Sequence, residues 1–447
     1  MIACFIGSPK NESCIFKNRE INYMNKAIEV FGNHIYKLTQ TNPNKALKEL
    51  SFVFTAAGLQ CKYFPTKLLL PARQYMQWAA ADSAIKPLRK GESSAIVSLY
   101  LPCEILHAMG IYQLFPEALS CYLAAAGSEK IFVETAENNG MPKNLCSYHK
   151  IFIGMAESGV LPKPKFVINT SLACDVNHLS FRRIADYYGV PHFMIDVPNS
   201  YNESNLVYLE NQLRQMVDFI EQNSDFKLDE NKLNEVVQRS KNTINNFRKI
   251  LELKKDRYLS DEMTSQMLSI FATHVMLGTK EAEKYSNDMI SQLSKCPKEY
   301  KGARLFWVHT LPYTQDALRN IINFTDRCEI VACDMILDAI DVDINEDNPY
   351  RFMADRLLRN IVNGNGDNRI NAVLKFAKQL NCDGVVWYCH WGCKQTAGSS
   401  ARAKEILEKN GLPTLILDGD GCDSQNVNDG QTVTRMEAFL ELLEKKK

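Results

Sequence analysis

Apolar positions along the chain fall into two series of short unbroken runs, separated by a long stretch with helical period. In the first series, Ser93–Leu101 (SSAIVSLYL), Lys165–Thr170 (KFVINT) and Val190–Val197 (VPHFMIDV) predict strands. Helical spacing fills the intervals, over Ile105–Ala108, Phe115–Ala126, a segment opening near Leu145, and 178–189. Lys130–Glu134 (KIFVE) fits either strand or helix. The second series begins at Ala303, with strands predicted at 304–310, 329–333, 384–389 and 413–420 and helices near 350–362 and 369–380. Alternating strand and helix is the signature of a parallel sheet covered by helices. Between the two series, Glu203–Gln222 and Asp229–Lys255 are long, charged and helical, and Leu259–Leu293 continues that period. The expected fold is therefore α/β: two Rossmann-like parallel-sheet domains facing each other, joined by a long helical segment. The expected divisions are a peripheral N-terminal segment (1–50, with one helix around Tyr23–Tyr36), a first α/β domain (51–202), a helical connector (203–297) and a second α/β domain (298–447). Residues 51–90, broken by Pro65 and Pro71, read as a helix and loops packed on the first domain.

Composition narrows the class of partner. Among 447 residues, Lys+Arg and Asp+Glu balance at 52 each, so no strong field favours nucleic acid or an anionic membrane surface. No apolar run approaches the roughly 18 residues of a membrane span. The opening MIACFIGSPKNE has no basic region before its apolar patch and no secretory cleavage pattern. A cytoplasmic protein is expected.

Fourteen cysteines then change the picture. In a reducing compartment they do not form a disulfide framework, and most are expected to be small buried hydrophobes. Cys328, Cys333 and Cys382 sit within or beside apolar strand text and fit that description. Others stand where chemistry happens. Cys103 and Cys174 follow strand ends in the first series. Cys389 and Cys393 follow the strand 384–389 in DGVVWYCHWGCKQTAGSS. Cys146 opens a helix, where partial positive charge favours a thiolate. In open α/β sheets ligands bind beyond the carboxyl ends of the strands, so facing sheets would bring these thiols to one cleft. Thiolate-rich sites select zinc or iron–sulfur clusters. Structural zinc usually shows two close cysteine pairs, whereas only 389/393 is a pair here. The spacing leaves a cluster, zinc and no metal all open.

Several common sites are absent. No G-x-x-x-x-G-K-[ST] phosphate loop occurs, Gly364-Asn365-Gly366 and Gly419-Asp420-Gly421 lack the rest of a dinucleotide fingerprint, and there is no C-x3-C-x2-C.

The motif series LPCEILHAMG (101–110), NLCSYHK (144–150), FVINTSLACDVN (166–177), VPHFMIDVP (190–198), CDGVVWYCHWGCK (382–394), LDGDGCD (417–423) and GQTVTRMEAFLELLE (430–444) resembles the 2-hydroxyacyl-CoA dehydratase / benzoyl-CoA reductase family, D-component type, over roughly residues 50–447. The resemblance implies one [4Fe-4S] cluster per subunit, held in the cleft by Cys146, Cys174 and Cys393, with Cys389 as an alternative ligand. It implies an iron–sulfur subunit of an (R)-2-hydroxyacyl-CoA dehydratase, a lyase removing water from an acyl-CoA substrate through a ketyl radical after one-electron reduction. The implied partners are a related second subunit, or a second copy of the chain, and an ATP-hydrolysing iron–sulfur activator. Glu104 is the expected catalytic carboxylate, set against a bland role at its helix's first turn. Ser147 and His390 are weaker candidates. Cys103, Cys121 and Cys389 are extra thiols that a double-cubane reductase of the same superfamily would use. Against both stands a non-catalytic partner subunit with structural thiols or zinc.

Overall fold

The structure, a computed structural model, describes residues 14–337 and 340–446, with side chains from Lys26 onward. The expectations for residues 1–13 and for the thiols of Cys4 and Cys14 lie outside the described residues. Two four-stranded sheets form the frame. The first contains β1 (Ser94–Val97), β2 (Tyr112–Leu114), β3 (Phe166–Thr170) and β4 (His192–Ile195), in the order β2-β1-β3-β4. The second contains β5 (Ala303–Val308), β6 (Cys328–Cys333), β7 (Gly384–His390) and β8 (Thr414–Gly419), in the order β6-β5-β7-β8. Every strand pair is parallel. The two sheets thus share one topology. In each, the chain leaves the first strand toward one edge and returns on its other side, making a switch point between β1 and β3 and another between β5 and β7.

Burial explains why the strands read as unbroken apolar runs. β3, β6 and β7 are buried at every position because helices cover both faces. Trp307 and Trp387 on neighbouring strands are fully buried and anchor the second core. β2 was not legible in the sequence. It is a three-residue edge strand with only Leu114 buried, too short for a period to show.

One open reading is resolved and two expectations change. Lys130–Glu134 belongs to a helix, Lys130–Asn138, whose Ile131, Phe132, Val133 and Ala136 are buried. The segment 259–293 is not one helix. It forms Met263–Ser269, a 3-10 turn Ile270–Thr273, and a separate helix Lys280–Leu293. Every residue from Glu262 to Gly278 is buried, and a segment with no solvated face has no need of one amphipathic stripe. Gly278 allows the break at φ +90, packed against Val236. The N-terminal segment is longer and better packed than expected. Helices Cys14–Thr41 and Pro43–Tyr63 bury Ile35, Ala46 and Leu50, and Gly32 lies directly on the backbone of Gly127. The connector helices Glu203–Gln222 and Glu230–Lys254 form where the sequence placed them, and they start at side-chain caps from Asn202 and Asp229. Among the described residues, no helix is long and apolar enough to cross a membrane.

Candidate functional site

The carboxyl ends of the two sheets supply one site. After β3 the chain runs Ser171-Leu172-Ala173 to Cys174, the N-cap of helix Asp175–Tyr188. After β7 it runs Trp391-Gly392 to Cys393, at the start of the short helix Lys394–Ala397. The residue before each thiol is left-handed: Ala173 at φ 81 and Gly392 at φ 76. A non-glycine residue there is strained, and such strain gathers at functional sites. Cys146 arrives from a third direction as the N-cap of helix Ser147–Glu157. The loops touch: a Cβ added to Gly392 would lie 2.5 Å from the Cys146 backbone nitrogen.

Cys146, Cys174 and Cys393 are each partly buried, and all three line the same two cavities. One is an inner, largely apolar space of about 910 Å³, open solvent at its mouth included. The other holds about 1220 Å³, measured the same way, and is bounded by Asp175, Gly366, Lys394 and Arg402. The three thiols form the wall between them. Burial raises Cys146 well above the ordinary thiol value, with Cys393 and Cys174 adding to it. Burial likewise pushes Cys174 up to about 11. The helix N-terminus was expected to favour the Cys146 thiolate. Desolvation outweighs it and favours the thiol over the thiolate.

Two buried histidines face these sulfurs. His390 Nε2 lies 3.5 Å from Cys146 Sγ and 3.3 Å from Ser147 Oγ. The backbone N–H of Gly421 donates to His390 Nδ1 at 3.0 Å, so the ring proton sits on Nε2, on the side of both Ser147 Oγ and the Cys146 sulfur. Burial lowers the pKa of His390, keeping the ring neutral although Asp420 is nearby. Asp420 instead accepts from Ser147 Oγ at 2.5 Å and from the Cys422 and Asp423 backbones. His309, left-handed at φ 81 just past β5, lies 3.4 Å by its Nε2 from Cys393 Sγ. Burial pushes its pKa down to about 3. The two rings stack at 5.8 Å with 13° between planes. Hydrogen bonds from neutral imidazoles are what metal-bound thiolates accept from their surroundings.

Among the described residues no three His, Cys, Asp or Glu side chains converge on one ion position. The three thiols on one cavity wall are a donor set whose chemistry fits zinc or an iron–sulfur cluster.

The other expected residues lie elsewhere. Glu104 opens the helix Glu104–Met109 but does not face the crevice. Its carboxylate is fully buried and gripped by Arg356, with Nη1–Oε1 at 2.5 Å and Nη2–Oε2 at 2.9 Å. Ser240 Oγ donates to the same group at 2.9 Å. Glu104 lines neither cavity, because a buried carboxylate is held by the nearest cation and donor it can find. Cys389 is buried on β7 and Cys103 is fully buried at its helix cap, and neither reaches the cavities. Cys121 lines the inner cavity only. Cys328, Cys333 and Cys382 are buried.

Four ionisable residues of the inner cavity escaped the sequence reading: Glu117, His149, His309 and Arg369. His309 was legible by the rule that picked out the thiols, since it directly follows the apolar strand that ends at Val308. Glu117 and Arg369 carry no local signal, being ordinary helix residues in sequence.

A model of the 2-hydroxyglutaryl-CoA dehydratase D-component family matches residues 98–443, and the chain belongs to that family. It is 23% identical over 403 residues to the lactoyl-CoA dehydratase alpha subunit of Anaerotignum propionicum, covering 83% of this chain and 95% of the relative. It is 23% identical over 386 residues to the (R)-phenyllactyl-CoA dehydratase alpha subunit of Clostridium sporogenes, covering 81% and 93%. A benzoyl-CoA reductase subunit of Thauera aromatica is 20% identical over 394 residues, covering 80% and 91%.

Proposed function

We propose that this chain is the iron–sulfur subunit of a cytoplasmic (R)-2-hydroxyacyl-CoA dehydratase, with a [4Fe-4S] cluster on Cys146, Cys174 and Cys393. The observation that carries this reading is the meeting of three thiols from both halves on the wall of one apolar cavity. Held by these three residues, such a cluster would supply single electrons at low potential. The chain's own residues do the rest. His390, through Nε2–H, and His309 stand next to the Cys146 and Cys393 sulfurs and support the thiolate form. Tyr148 packs on the His390 ring at 4.8 Å and fixes its plane. The apolar wall, with Phe115, Ile270 and Phe271, excludes water from a bound acyl chain. A related second subunit and an ATP-hydrolysing activator complete the proposed enzyme, in keeping with relatives named as alpha subunits.

A reductase is the second reading, favoured by the likeness to a benzoyl-CoA reductase component. The test is anaerobic assay of the chain with its partner subunit and activator. A dehydratase converts an (R)-2-hydroxyacyl-CoA into the 2-enoyl-CoA with catalytic ATP. A reductase leaves the hydroxyacyl thioester untouched and reduces benzoyl-CoA with ATP consumed at every turnover.

A further inference from the structure

A further cavity, lined by none of the three thiols, opens where the N-terminal helix Cys14–Thr41 meets both halves. It holds about 1930 Å³, open solvent at its mouth included. Its lining carries six carboxylates, Glu29, Glu129, Glu134, Asp316, Asp420 and Asp429, against one cation, Lys130, which pairs with Glu134 at 3.8 Å. Two buried acceptors set this cleft apart from a solvated acidic surface. Glu129 is only 6% exposed; one of its oxygens accepts from Ser424 Oγ at 2.9 Å, and the other, Oε2, has no hydrogen-bond partner. Glu129 is the N-cap of the helix Lys130–Asn138, yet its side chain makes no capping bond to that helix. Burial pushes its carboxyl up to about 7, with Asp423 adding to the effect. Gln315 is also 6% exposed; its amide N–H donates to Asp429 Oδ1 at 2.9 Å, and its Oε1 has no partner. Orphaned buried acceptors are unfavourable unless something completes them.

Both missing partners must be donors, and the carboxylates around them favour a positively charged one. Among the described residues no three His, Cys, Asp or Glu side chains converge on one ion position, so these acceptors fit a cation whose N–H groups are spread in space. Ile28 and Val427 line the same cleft half-buried, and Val30, the residue after Glu29 on the helix, is 62% exposed. A buried charged anchor ringed by apolar contacts is how protein interfaces are built. We propose that this cleft is where the related second subunit docks, and that it seats an arginine or lysine side chain of that subunit against Glu129 and Gln315. The proposal rests on reading the chain as one subunit of a dehydratase, in keeping with relatives named as alpha subunits. The inserted cation completes both orphaned oxygens and offsets the acidic lining. Glu129 belongs to the first half and Gln315 to the second, so docking here also ties the two halves together.

Hydrogen exchange and affinity measurements on the anaerobically purified complex of this chain with its second subunit test the site. On assembly the backbone amides over 127–134 and 422–429 are expected to gain protection. Glu129→Gln should weaken association about tenfold or more, as removal of one partner of a buried charge pair does. Gln315→Ala should weaken it severalfold and serves as the second variant should Glu129→Gln fold poorly. Asp186→Asn, at an exposed carboxylate on the helix Asp175–Tyr188, should leave the affinity at the wild-type value. Wild-type affinity in both cleft variants, or no gain of protection over 127–134 and 422–429, overturns the docking site. Equal weakening by Asp186→Asn overturns it too, since only a general charge attraction would then remain. Agmatine, a small free cation, probes the other occupant: binding to the assembled complex as tight as to the free chain shows an open cleft and overturns the proposal. A wild-type chain that forms no complex with the second subunit sinks the subunit reading itself, an outcome distinct from a complex that forms with this cleft exposed.

Discussion

The two halves of the molecule share a topology and diverge in what they bring to the cleft. β3 and β7 occupy the same place in their sheets, and each is followed by a left-handed residue and then a thiol. Up to that point the halves are equivalent. Beyond it, the first half adds Cys121, Cys146, Glu117 and His149 to the inner cavity, while the second adds His309 and no further cavity-lining thiol, with His390 standing against the Cys146 sulfur. A common strand–kink–thiol unit thus does the positioning, and the tuning groups are divided between the sides. Neither half contains a complete site. The interface between them is therefore as much part of the site as the ligands are.

The sharpest way to break this comparison is to remove the thiols. Cys174→Ala and Cys393→Ala should each lose most of the iron from anaerobically purified protein, to a similar extent because their places are equivalent. Cys328→Ala, within buried β6, should keep its iron and lose only stability, about 1–2 kcal/mol. An iron loss confined to one half would show that the halves are not equivalent.

Next in size is the seam. Glu104 belongs to the first half, Arg356 to the second and Ser240 to the connector. Glu104→Gln leaves a buried guanidinium without its counter-charge and should destabilise the protein by about 3–5 kcal/mol in denaturant titration. Iron per folded chain should stay near the parent value, because Glu104 does not line the cavity.

Gly392→Ala comes third. Its Cβ would collide with the Cys146 backbone and occupy a left-handed conformation, at a combined cost of about 2–4 kcal/mol. Wild-type melting behaviour would mean that the two loops do not depend on close contact.

The smallest expected effect is a pH dependence set by Glu117. Its folded value, about 8, lies above its ordinary value of 4.5. Below about 4.5 both folded and unfolded chains carry the proton, and this stabilising contribution is complete. From there to about 8 only the unfolded chain releases it, so stability falls as pH rises. Glu117→Gln has no proton to release. Its advantage over the parent should grow between pH 4.5 and 8, reach about 1–3 kcal/mol, and then level off. A difference independent of pH would mean that Glu117 is ionised in the folded protein.

Much of this was legible in the chain itself. Long apolar strands such as GVVWYC and KFVINT announce their class because burial on both faces leaves no room for polar residues. Thiols at strand ends announce a cleft because the topology admits few other places for them. What failed to show were properties of the assembled pair. Glu104 and Glu117 are both first-turn helix carboxylates, and nothing local tells which one meets an arginine from residue 356. The break at 270–280 was hidden because a segment buried on all sides keeps an apolar text whether or not it is helical. The Cys146 thiol defied its helix N-terminus because desolvation depends on the opposing half, which the local sequence does not contain.

Iron and acid-labile sulfide analysis of the anaerobically purified chain tests the central claim most directly. The account predicts about four irons and four sulfides per chain, abolished together by Cys146→Ala. Zinc without sulfide, or full iron content in the Cys146→Ala protein, would contradict it.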